Sequence, residues 1–112
     1  MKKIMTAQEA IDELEIIKKG LKAQCPYERN SQERNEWINR VEVTMDRATK
    51  DVVRMETLGY RLMPGLKPTE SAKTDSNFMH LYESMRLHIK RAERAVSNVN
   101  ALVAKYNPTR PH

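Results

Sequence analysis

Cysteine, glycine and aromatic residues are all scarce in this sequence, and each scarcity closes a class of structure. Cys25 is the single cysteine, so no intrachain disulfide forms and a thiolate zinc cluster lacks its ligands. The glycines Gly20, Gly59 and Gly65 stand alone, which leaves no glycine-rich loop to cradle a phosphate. Aromatics make up 5% of the chain, and the β-branched and aromatic clusters that strands need are missing. Apolar runs are only a few residues long, far short of a membrane-spanning helix. Met1, Lys2 and Lys3 are not followed by an apolar core, so the start does not read as a secretory signal. A cytoplasmic, reducing location with no membrane association is the expectation.

What is present is charge on a helical period. Charged residues reach 31% against 39% hydrophobic, a mixture that suits long amphipathic helices with one buried stripe. The organising stretch runs from Ile38 to Leu62. Ile38, Val41, Met45, Ala48, Val52 and Met55 step by three and four, and after Gly59 the series closes on Leu62. This is a seam of a and d positions, the pattern of a helix packed along its length.

Thr6 followed three residues on by Glu9 has the form of a capping box. Ala7, Ala10, Leu14, Ile17 and Leu21 form an apolar stripe behind it, and Pro26 predicts an end near Gln24. Asn30 or Ser31 can cap a second helix reaching Leu62, with Pro64 and Gly65 stopping it. Within it Glu36 with Arg40, and Asp46 with Lys50, stand at i,i+4 spacing. Residues 64–75 carry loop chemistry. Asp75 or Ser76 then opens a third helix whose seam is Phe78, Tyr82, Met85, Ile89, Ala92, Val96, Val99, Val103 and Tyr106. The predicted fold is all-α: one domain over 1–112, a three-helix bundle built on a long antiparallel, coiled-coil-like hairpin. Its helices span about 7–24, 31–62 and 76–106, and a mobile tail covers 107–112.

The first helix is half the length of its partners, and its short connection predicts that it lies on the first half of the second. Residues 52–63 and 78–88 would then stand two helices thick, with part of a seam open. Leu58, Tyr60, Met63, Met79, Leu81 and Tyr82 crowd that end and form the expected partner or oligomer interface. A second candidate is electrostatic. Arg40, Arg47, Arg54 and Arg61 recur every seven residues, at intervals of about 10.5 Å along a helix, with Lys50 close by. Arg86, Lys90 and Arg94 add a cationic run on the third helix. Such strips meet a phosphate backbone or an acidic protein, and a net charge of +5 suits either.

Catalytic chemistry finds little support. His80, His88 and His112 make no HxxxH pair, no metal or cofactor site is recognisable, and Cys25 has no base near it in sequence. The stretch from Trp37 to Arg54 loosely resembles the helical hairpins by which some phage proteins sequester cyclic nucleotides of bacterial immunity. That likeness is a tryptophan, a few apolar positions and an arginine, and it assigns no family. The expected function is non-catalytic: a small, self-associating helical protein that binds and occludes or bridges a protein partner. An inhibitor or adaptor of the phage or mobile-element type has this form. The alternative is a basic nucleic-acid-binding or nucleotide-sequestering protein using the arginine strip.

Overall fold

The computed structural model of the chain describes residues 4–106. Three helices carry the fold: α1 (Ala7–Lys22), α2 (Gln32–Thr57) and α3 (Ser76–Tyr106). Between α2 and α3 lie the short strands β1 (Leu62–Met63) and β2 (Lys67–Pro68), paired antiparallel, and a 3₁₀ turn over Ala72–Thr74. The architecture is all-α, an antiparallel α2–α3 hairpin with α1 laid along it. The expected tail over 107–112, including His112, lies outside the described residues.

Local chemistry explains where each helix starts. Thr6 Oγ1 accepts from the Glu9 amide and Glu9 Oε1 accepts from the Thr6 amide, each at 3.1 Å, so the capping box forms in full. Ser31 caps α2 by accepting from the Arg34 amide at 3.1 Å, while Asn30 takes a left-handed φ of 64° that an asparagine tolerates. Asp75 caps α3, its Oδ1 accepting from the Asn77 and Phe78 amides.

Two expectations about α2 need correction. The helix ends at Thr57, not at Leu62. Gly59 adopts φ 86°, its amide donates to Glu56 O, and the Tyr60 amide reaches back to Met55 O at 2.9 Å. This paired closure is a Schellman motif, which a glycine at that position permits. Leu62 is buried, but as a residue of β1; its agreement with the heptad count is coincidental. The intrahelical pairs Glu36–Arg40 and Asp46–Lys50 also do not form. Glu36 accepts from Gln32, and Asp46 faces Lys18 of α1 at 3.7 Å.

The core follows the seams. Val41, Met45, Ala48, Val52 and Met55 of α2 meet Phe78, Met85, Ile89, Ala92 and Val96 of α3, all buried, and Ala10, Leu14 and Leu21 of α1 close the third side. Ala48 and Ala92 are essentially inaccessible, and their small side chains let the helix backbones approach. Trp37 is buried with them, so its ring is not an exposed shelf for a base. Cys25 and Tyr27 of the connection pack against the core, and Asn100 Nδ2 donates to Gln24 O at 3.1 Å.

The placement of α1 reverses the expectation drawn from its short connection. Lys22 pairs with Glu42 at 2.7 Å, Lys18 with Asp46, and the Met5 amide donates to Leu62 O at 2.8 Å. Thus α1 covers the loop-proximal half of α2. The β-hairpin joins it there, through Glu13 Oε1 accepting from the Gly65 amide at 3.1 Å. Leu66 and Ala72 are buried beneath the loop. The half expected to stand two helices thick is therefore the one that receives the extra cover.

Candidate functional site

That cover absorbs most of the residues expected to form a docking end. Tyr60, Met79, Leu81 and Tyr82 are partly buried against the core, and Met63 is half-buried in β1. Phe78 sits between two of them, its ring centroid 5.3 Å from Tyr60 and 5.8 Å from Tyr82. Tyr60 also donates its hydroxyl to Asp75 Oδ2 at 2.9 Å. The Phe78 amide and then the Tyr60 hydroxyl hold the Asp75 carboxyl below its ordinary value; the Asp75 carboxylate in turn raises the Tyr60 phenol. Of the six, Leu58 alone stands mostly in solvent, 55% exposed. It belongs with a different surface.

That surface is the outer face of α2. Arg40, Arg47, Lys50 and Arg54 are all exposed, and none makes an ion pair with a described carboxylate. The reason lies in where the acids of α2 point. Glu42 and Asp46 turn toward α1, where Lys22 and Lys18 hold them. Hydrogen bonding to Lys22 lowers the Glu42 carboxyl from its ordinary value, and hydrogen bonding to Glu15 raises the Lys18 ammonium. Asp51 turns toward α3, where Ser84 Oγ donates to its Oδ2 at 2.8 Å and His88 Nε2 lies 3.8 Å away. The flanks of α2 thus take up three of its carboxylates, and the outward strip keeps its cations together with one exposed acid, Glu36, whose Oε1 accepts from Gln32.

Apolar residues are interleaved with those cations. Val43 and Val53 are 45% and 46% exposed, high for valines on a packed helix, and Leu58 follows one turn after Arg54. Two shallow grooves run end to end along the strip. One, of about 430 Å³, is lined by Glu36, Asn39, Arg40, Val43, Thr44 and Arg47. The other, of about 460 Å³, is lined by Lys50, Val53, Arg54, Thr57 and Leu58. With α2 some 39 Å long at about 1.5 Å per residue, the face is a straight, basic, partly apolar ribbon.

The remaining expected cations are not gathered onto it. Arg61 lies beyond the helix end; its Nη1 donates to Tyr60 O at 2.8 Å and its Nη2 lies 3.9 Å from Glu56. On α3, His88 and Ala95 mark the flank that meets α2, since His88 faces Asp51 and Ala95 shares a small gap with Arg40 and Thr44. Arg91 falls between them on that flank. Arg86 and Lys90 lie two residues either side of His88, about 200° away around the helix, and so occupy the opposite flank. Arg94 is exposed on the outward side.

Asp51, Ser84 and His88 form a trio that no sequence motif marks. The signal the sequence carries is Ser84 and His88 at i,i+4 spacing, which places both side chains on one helix face. In the trio the Ser84 hydroxyl donates to the Asp51 carboxylate, His88 Nε2 lies 3.4 Å from Ser84 Oγ, and buried His88 Nδ1 has no hydrogen-bond partner among the described residues. Among the described residues, no three of His, Cys, Asp and Glu gather where a metal could sit, and no helix is long and apolar enough to cross a membrane. No known protein family, curated protein or solved structure matches the chain.

Proposed function

We propose that this chain is a non-catalytic helical binding protein, an inhibitor or adaptor, that docks on an acidic protein partner through the outer face of α2 and occludes or bridges it. One observation carries this reading. The carboxylates of α2 at 42 and 51 are held on its flanks and Asp46 leans toward Lys18, while Arg40, Arg47, Lys50 and Arg54 make no ion pair among the described residues and stand beside half-exposed Val43, Val53 and Leu58. Unpaired cations attract an acidic surface, and the apolar residues between them favour a protein, because phosphate backbones offer no apolar surface in return. Self-association rested on an open α2–α3 seam, which α1 now covers. Two copies meeting symmetrically through the α2 face would oppose like charges, so the occupant is a different molecule.

The unpaired arginines also keep a nucleic-acid reading in view, and one preparation separates the two. The protein is purified at low salt, its mass is measured by light scattering, and its absorbance ratio at 260 and 280 nm is recorded. Protein free of nucleic acid at low salt is the expected result. Co-purifying nucleic acid that salt strips away, and that Arg47→Glu with Arg54→Glu abolishes, overturns the protein-partner reading.

A further inference from the structure

Resting on that reading, we infer that the element docking on α2 is itself an acidic amphipathic α-helix, laid along the strip as an additional helix of the bundle. The repeat distance decides between the forms an acidic segment can take. Arg40, Arg47 and Arg54 present a cation every seven residues along a continuous helix, at intervals of about 10.5 Å over about 21 Å. A helix with carboxylates every seven residues has the same repeat and stays in step along the whole row. An extended strand repeats one face every two residues, about 6.7 Å, so it can meet the two outer arginines but misses the central one by about 3 Å. The apolar residues agree: Val43, Val53 and Leu58 stand half-exposed beside the cation row, so a partner helix meets apolar side chains as well as charge.

Among the described residues α1 offers no free acidic face for this place: around exposed Ile16, Glu9 Oε1 accepts from the Thr6 amide, Asp12 Oδ1 from Gln8 and Glu13 Oε1 from the Gly65 amide, and Lys19 adds a positive charge. The strip is one helix wide, about 39 Å by about 10 Å, or roughly 400 Å² per partner. A contact of roughly 800 Å² in total belongs to the weak, transient class, so affinity in the micromolar range is expected.

The test uses a fluorescently labelled peptide of four heptads, leucine at the a and d positions and glutamate at e and g, about as long as α2. Two controls accompany it: the same composition with two interior prolines, which cannot form the helix, and a short DNA duplex. The expected result is that the helical acidic peptide binds the whole chain and gains helicity on binding. Both Arg47→Glu with Arg54→Glu and Val53→Asp with Leu58→Asp should weaken it at least about tenfold, with the variants' own circular dichroism unchanged. If the proline-interrupted peptide binds as tightly, and the arginine variant still loses it, the helical form is wrong while the acidic-partner reading stands. If DNA binds and neither peptide does, or if the arginine variant binds the peptide unchanged, both readings fail.

Discussion

Lys22 Nζ lies 2.7 Å from Glu42 Oε1, and this pair, at the last residue of α1 and the middle of α2, marks the register of one helix on the other. It does two things at once. It lays α1 over the loop-proximal half of the hairpin, and it removes a carboxylate from the vicinity of the outer α2 strip. A double-mutant cycle with Lys22→Ala and Glu42→Ala should give a coupling of about 0.2–1 kcal/mol that falls with salt, as for other partly exposed pairs. A coupling of zero at low salt would remove this pair from the set that holds α1 in place.

Leu66 gives a sharper test of the loop. It is 2% exposed yet adopts φ 57°, the left-handed region that costs a non-glycine residue about 1–2 kcal/mol. Burying the leucine returns about 1.5–3 kcal/mol, which is why the strained position persists. Leu66→Ala loses the burial and keeps most of the strain, whereas Leu66→Gly loses the burial and relieves it. Chemical denaturation should therefore rank Leu66→Gly at or above Leu66→Ala, the reverse of the usual order. The ordinary order, with Ala the more stable, would show that the strain is absent.

Gly59 makes the matching case at the end of α2. Its φ of 86° closes the helix, and a Cβ there meets no atom within 4 Å, so the cost of Gly59→Ala is conformational, not steric. A loss of about 1 kcal/mol is expected. A neutral result would mean that the turn shifts to accommodate alanine.

The Tyr60–Asp75 pair sets a pH dependence whose sign is definite. Asp75 is held below its ordinary 3.8, so its contribution is complete above that value and is lost as pH falls through the folded value. Tyr60 is raised above its ordinary 10.0, so its contribution holds below that value and is lost as pH rises through the folded one. Thermal melts of wild type and Asp75→Asn should differ by a constant amount between these limits, and the difference should shrink on both sides. A difference that grows on acidification would contradict the pairing.

The strip itself should be dispensable for folding. Arg47 and Arg54 are exposed and make no ion pair within the described chain, so Arg47→Glu should change stability by less than about 0.5 kcal/mol and Arg54→Glu, in the last turn of α2, by about 1 kcal/mol through the helix dipole. Larger destabilisation in a denaturant melt would assign these arginines a structural role and undercut the binding one.

Helix periodicity made much of this legible. The α3 seam runs as its spacing reads, from Phe78 through Met85, Ile89, Ala92 and Val96, because one face of one helix fixes its own partners. Leu62 continues the count after Gly59 and masks the end of α2; the glycine is the stronger signal, since it takes the left-handed backbone of that closure at least cost. The position of α1 was not legible at all. It depends on contacts twenty to more than fifty residues apart, Lys22 with Glu42, Met5 with Leu62 and Glu13 with Gly65, and connection length does not encode such a register. The arginine strip was visible as heptads. Its lack of internal partners was not, because that depends on Lys18, Lys22, Ser84 and His88 drawing the neighbouring acids away.

The most direct measurement is site-specific photo-crosslinking in the cells that express the protein. A benzophenone side chain is placed at Val53, on the α2 strip, and separately at Leu87, a comparably exposed position on α3. The expected result is a crosslinked protein band from position 53, absent from position 87 and lost when Arg47 and Arg54 are changed to glutamate. Crosslinks from position 87 with none from 53, or crosslinks from 53 to nucleic acid alone, contradict a protein partner docked on the outer face of α2.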